Sequence, residues 1–144
     1  MSLTKSPREI ESLKRGGAHL SAILREIREK CVPGVGTAEL DALARERMKE
    51  IGAKPSFLGY RISPDDPAYP GALCTSINEE VVHGLPIPNR IVQTGDVVGL
   101  DIGMWFEGLA TDMATTVIAG GTFDKRKEQL VRDTRVALVW GIGA

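Results

Sequence analysis

Two aspartates carry the most chemistry in this 144-residue sequence. Asp101 stands in the otherwise apolar run Val97-Val98-Gly99-Leu100-Asp101-Ile102-Gly103, and Asp112 precedes Met113-Ala114-Thr115-Thr116-Val117-Ile118. Both stretches read as strands, paired as a hairpin around Trp105, Phe106, Glu107 and Gly108. A turn centred between Phe106 and Glu107 puts position 101 directly opposite position 112, with Cβ atoms about 4.5–5.5 Å apart on one sheet face. Like charges so placed destabilise a sheet, and relief comes from a shared proton, a nearby cation or a solvated face. Carboxylates bridging divalent cations are one solution, because hard cations favour oxygen ligands. The other reading is a solvent-facing pair of acids with the register slipped by one residue.

His83 is the second feature, in Glu79-Glu80-Val81-Val82-His83-Gly84-Leu85-Pro86. Its apolar setting suits either a hydrogen-bonded core histidine or a site residue. Glu79 and Glu80 are adjacent, and neighbours on a strand point to opposite faces, so at most one could serve a given site. His19 lies in a helical stretch and reads as surface or packing. Cys74 sits in an apolar strand, where a thiol is usually inert. Neither Gly34 and Gly36 nor Gly120 and Gly121 open a phosphate-binding loop, since no lysine with serine or threonine follows at the required spacing.

These residues need elements to hold them. Ser6, Pro7 and Glu9 form a helix start with a capping box, followed by Ile10, Leu13, Leu20, Ile23, Leu24 and Ile27 near helical spacing. Gly16 and Gly17 interrupt it and suggest a close packing contact. After the turn at Pro33 to Gly36, Thr37 is placed to cap a second helix through Ile51. Lys54 to Gly71 is rich in proline and glycine and reads as loop. Ala72 to Asn78, Val81 to Gly84, Val97 to Met104 and Leu109 to Ile118 read as strands. A last helix runs from about Asp124. It reaches Ala144 with no capping signal, so the polypeptide is expected to be incomplete there.

The bulk properties narrow the function classes. A hydrophobic share of 42% allows a core, and residues 1–144 read as one domain. The net charge of −1 gives no general pull toward nucleic acid or anionic lipid. Lys125-Arg126-Lys127, beside Asp124 and Glu128, reads as a solvated helix face. Cys31 and Cys74 are too few for a disulfide framework and suggest a reducing compartment. Met1 to Ser6 lacks the apolar core of a signal peptide, and no apolar run approaches the roughly 18 residues of a membrane span. A cytoplasmic protein with no membrane and no directly read nucleic acid is expected.

Taken together, three stretches resemble the methionine aminopeptidases of peptidase family M24. They are Phe57-Leu58-Gly59-Tyr60 with Tyr69-Pro70; the run from Ala72 through Thr75-Ser76-Ile77-Asn78-Glu79-Glu80-Val81-Val82-His83-Gly84-Leu85-Pro86; and Gly95 to Gly103 with Gly108 and Asp112. The resemblance implies an α+β pita-bread fold, here its amino-terminal half, with helices packed on a mainly antiparallel sheet. It implies that Asp101 binds one metal and Asp112 bridges two, the metals being Co, Mn, Fe or Zn. It makes His83 the substrate-side histidine that contacts the scissile amide. It places Phe57, Tyr60, Tyr69 and Cys74 around a pocket for a methionine side chain.

The implied substrates are nascent polypeptides or peptides with an amino-terminal methionine. Ribosome association and a monomeric full-length enzyme are implied as well. Phe57 departs from the family pattern, where a small residue or cysteine is common. So does Arg61 to Ala68, eight residues between Tyr60 and Tyr69. The family's further ligands, a second histidine and two glutamates, would lie beyond Ala144, so this chain alone is expected to be weakly active or inactive. The alternatives are another peptidase of the fold, such as an Xaa-Pro aminopeptidase, and a non-catalytic binding module.

Overall fold

The computed structural model describes residues 4–122 and 124–144. Met1–Leu3, part of the segment read for a signal peptide, lie outside the described residues, as does Phe123. Helix α1 spans Pro7–Lys30. Its start is the expected capping box: the Glu9 amide donates to Ser6 Oγ at 3.3 Å, and the Ser6 amide donates to Glu9 Oε2 at 2.8 Å. Leu20, Ile23, Leu24 and Ile27 form its buried stripe. A Cβ at Gly16 would lie 3.3 Å from Thr111 Cγ2 and 3.6 Å from Phe106 Cβ, so the helix backbone presses on the sheet at that point. Gly17 makes no such contact.

Helix α2 spans Thr37–Glu50 and buries Leu40, Ala44 and Met48. Its cap is Gly36 rather than Thr37, and the Glu39 carboxylate accepts the Gly36 amide at 3.0 Å. Thr37, the first helical residue, is fully buried.

Four strands follow: β1 (Lys54–Pro55), β2 (Leu73–Ile77), β3 (Val97–Phe106) and β4 (Leu109–Ile118). All pairings are antiparallel, and β3 is central, with β4 on one edge and β2 and β1 in succession along the other. Strand β1 lies inside the stretch read as loop. Val98, Leu100, Ile102 and Met104 of β3 are fully buried and join Leu20, Ile27, Leu40 and Met48 in the core. The alternate residues Gly99, Asp101, Gly103 and Trp105 therefore face away from the helices.

The hairpin register corrects the sequence reading. The β3–β4 turn has two residues, Glu107 and Gly108, both left-handed (φ 50 and 77), the arrangement that matches the twist of paired strands. The Glu107 carboxylate is held from α1 by Ser12 Oγ at 2.7 Å and by Arg15. Asp112 consequently pairs with Gly103, and Asp101 with Ala114. The two aspartates are diagonal neighbours, not directly opposed. A shift of two residues preserves the face, so both still project from the same side.

Val81 to Gly84 is not a strand but irregular chain, with Val81 and Val82 exposed. Helix α3 (Lys125–Gly143) is capped by Asp124, whose Oδ1 accepts the Arg126 amide at 3.0 Å. It buries no residue, and the side chains of Lys125 and Arg126 are solvated. Lys127 Nζ instead donates to the Gly95 carbonyl at 2.8 Å.

Candidate active site

The sheet face turned from the helices opens into a cleft of about 1090 Å³. Phe57, Tyr60, Tyr69, Cys74, His83, Asp101 and Asp112 all line it, so the fold gathers every candidate side chain into one place. Cys74 of β2 lies directly across from Asp101. Gly103 lies across from Asp112 and leaves the space that carboxylate uses. A Cβ there would come within 2.3 Å of Ser56 Oγ, 2.8 Å of Asp112 Oδ2 and 2.9 Å of Phe57 Cε1.

Asp101 Oδ1 is buried and has no hydrogen-bond partner. Burial pushes the Asp101 carboxyl above its ordinary range and the nearby Asp112 charge adds to this, while His83 opposes it. Asp112 is also raised, by partial desolvation against the cleft wall, although much of its side chain is exposed. Two raised carboxyls on one face, one with an unpartnered buried oxygen, are costly in isolation. A divalent cation would satisfy the oxygen and reverse both shifts, so the pair fits hard-metal ligation. Among the described residues no group of three or more His, Cys, Asp and Glu side chains gathers to complete such a centre.

The wall opposite is aromatic. Phe57 and Tyr69 meet edge to face with centroids 6.4 Å apart. The Tyr69 hydroxyl faces the carbonyls of Gly84 at 3.0 Å and Leu73 at 3.2 Å. Burial, with the neighbouring Cys74 thiol, pushes its ionisation well above the usual tyrosine range. Burial raises Cys74 too, which keeps it a neutral thiol at pH 7 and a poor nucleophile. Tyr60, 62% exposed, stands at the mouth. The Arg61 to Ala68 segment is closed at its base: the Gly59 amide donates to the Tyr69 carbonyl at 2.9 Å, and the Tyr69 amide to the Tyr60 carbonyl at 2.8 Å.

His83 is neither a strand residue nor a core residue. Its φ is 59 and its side chain is exposed to the cleft. Gly84 beside it is buried against β2, donating to Ser76 Oγ at 3.1 Å and accepting the Thr75 amide at 2.8 Å. Glu80 turns away from the site to pair with Arg90. Sequence reasoning missed Gly103 and Trp105. Counting two-residue steps from Asp101 along β3 puts both on the site face, so the signal was available. Trp105 is 49% exposed at the cleft edge.

A β3–β4 hairpin bearing two carboxylates above such a cleft defines a class of protein. The chain belongs to metallopeptidase family M24, whose model matches residues 11–142, and so to a family of metal-dependent peptidases. Among its relatives, the methionine aminopeptidase of Aquifex aeolicus (strain VF5) is 44% identical over 134 residues, covering 92% of this chain and 51% of that protein. The crystal structure of the methionine aminopeptidase from Thermotoga maritima superposes with a TM-score of 0.84 at 41% identity, over 94% of this chain and 51% of that one. An Xaa-Pro dipeptidase from Bacillus anthracis is more distant, with a TM-score of 0.69 and 26% identity over 88% of this chain and 32% of that one. The fold is the pita-bread fold, and the chain spans about half the length of the curated relatives it matches.

Proposed function

We propose that this chain is part of a methionine aminopeptidase, which removes the initiator methionine from nascent polypeptides and peptides. The observation that carries the reading is the convergence of Asp101, with its unpartnered buried oxygen, Asp112, His83 and an aromatic pocket in one cleft. The methionine side chain enters between Phe57, Tyr69 and Cys74, with Tyr60 at the mouth. His83 contacts the scissile amide and helps hold charge that develops on it. Asp101 and Asp112 hold two divalent metals (Co, Mn, Fe or Zn) together with donors beyond these two. When bound, such ions lower the pKa of water and polarise a carbonyl. The greater similarity to methionine aminopeptidases than to an Xaa-Pro dipeptidase supports methionine over proline-directed specificity.

The reading extends to a cytoplasmic enzyme that is monomeric at full length and meets its substrates near the ribosome. No helix among the described residues is long and apolar enough to cross a membrane. Two carboxylates do not complete a divalent centre, so these 144 residues alone are proposed to turn over weakly or not at all.

The test is methionine release from Met-Ala-Ser with Co²⁺ or Mn²⁺. It compares this chain, a polypeptide extended to the length of its relatives, and the extended form carrying Asp101→Asn or Asp112→Asn. Release by the extended form alone, lost in both variants, supports the reading. Cleavage of Xaa-Pro peptides instead, or activity indifferent to both aspartates, overturns it.

A further inference from the structure

His83 lies on irregular chain, so no ladder of backbone bonds fixes it. On its carboxyl side Gly84 is bonded to β2 and to Tyr69. On its amino-terminal side the Glu80 amide donates to the Ile77 carbonyl at 3.2 Å, and Arg90 adds a side-chain tie across the segment. The backbone around Arg90 is bound to the turn between α1 and α2. The Thr37 amide donates to the Arg90 carbonyl at 2.9 Å, Gly36 and Ile91 form a β-bridge, and Val92 bonds to Gly34 at 2.8 Å and Val35 at 2.9 Å. From this anchor the guanidinium reaches back across the loop. Its Nη2 donates to Glu80 Oε2, and its Nη1 lies 3.5 Å from the Leu85 carbonyl. The same Glu80 oxygen accepts the Ile77 amide at 2.9 Å, at the end of β2.

Glu80 and Leu85 flank His83 on its two sides. One planar cation thus spans the loop that carries the histidine and ties it to a helix start and a strand end. The Arg90 and Glu80 side chains are only 23% and 36% exposed, so this pair is less screened than a surface ion pair. A loop side chain acts with precision only if its supports are rigid. Lysine, a flexible point charge, cannot span two acceptors as a guanidinium does.

We propose that Arg90 is a positioning residue for His83, holding its loop at the geometry the scissile amide requires through the Glu80 bridge. This rests on the role given to His83 above. In the extended enzyme, Arg90→Gln is expected to lower kcat about tenfold with KM for Met-Ala-Ser within about twofold, because the methionine pocket is untouched. Arg90→Lys should recover part of the loss. Glu80→Gln with Arg90→Gln should be no worse than the more damaging single change, since both break one bridge. Amide ¹⁵N relaxation at Val81 to Gly84 in the 144-residue chain should report lower order in Arg90→Gln, with β3 unchanged.

A kcat within twofold of the parent, or a KM that rises in step with the fall in kcat, overturns the proposal. If the extended parent releases no methionine, the peptidase reading fails by itself. The relaxation measurement then still decides the clamp, and unchanged order at Val81 to Gly84 overturns it.

Discussion

Gly84→Ala offers a direct measure of how the histidine loop is held. Gly84 does not have a left-handed φ, so alanine fits its backbone conformation, and in open space the change would stabilise the protein by about 0.4–1 kcal/mol through the unfolded chain. The surroundings reverse that sign. A Cβ at Gly84 would sit 2.3 Å from the Thr75 carbonyl oxygen and 2.6 Å from Ser76 Cα, both backbone atoms of a buried strand that cannot rotate aside. The loop must retreat by about 1 Å to reach ordinary contact distance. That retreat breaks or stretches three hydrogen bonds: Thr75 amide to Gly84 carbonyl, Gly84 amide to Ser76 Oγ, and Tyr69 hydroxyl to Gly84 carbonyl. At about 1 kcal/mol each, and after the entropic gain, the net cost is roughly 2–3 kcal/mol. Urea unfolding followed by circular dichroism should show a lower midpoint with an unchanged slope. Equal or greater stability in Gly84→Ala would refute the claim that close backbone contact with β2 fixes the segment next to His83.

Two further outcomes follow from buried groups outside the candidate site residues. Asp41 Oδ1 accepts the buried amides of Ala72 at 2.6 Å and Leu73 at 3.0 Å, and Oδ2 pairs with Arg45 at 2.6 Å. Asp41→Ala should cost about 2–5 kcal/mol by leaving two buried donors unmatched, and Asp41→Asn should recover part of this, both read from urea midpoints. Cys31 is buried, which with the Asp96 charge raises its thiol from 9.0 to about 11. Below pH 9 both states hold the proton and the group contributes no pH dependence. From pH 9 to 11 the unfolded chain ionises first, so stability falls, by up to about 3 kcal/mol. Cys31→Ala should flatten that alkaline decline relative to the parent, and an identical slope in the two proteins would count against burial of the thiol.

The starts of α1 and α3 were legible because their signals are local: Ser6 and Glu9 satisfy orphan amides within one turn, and Asp124 does so for α3; at α2 the cap is Gly36, one residue before the expected Thr37. The candidate site was legible as residue types in motifs, from Phe57 to Asp112, and the fold brings them to one cleft. Arg90 was not, because its role comes from contacts made across a loop and an arginine announces no partner in a linear sequence. Strand alternation puts Gly103 on the site face, but the close approach of Asp112 and Phe57 that calls for a glycine there appears only in the fold.

The sequence placed Asp101 and Asp112 on one sheet face while leaving a one-residue slip open; because side chains alternate with period two, the two-residue shift in the observed register keeps both on that face. It did not determine which residues pair. That depends on Glu107 and Gly108 both adopting positive φ, with the Glu107 carboxylate held by side chains of α1 more than ninety positions away. Nor did it place His83, whose left-handed backbone on an irregular segment is sustained by β2, Tyr69 and Arg90. Local patterns record what neighbours in the chain prefer; the register of the carboxylates and the setting of the histidine are decided by distant groups that meet only when the sheet has formed.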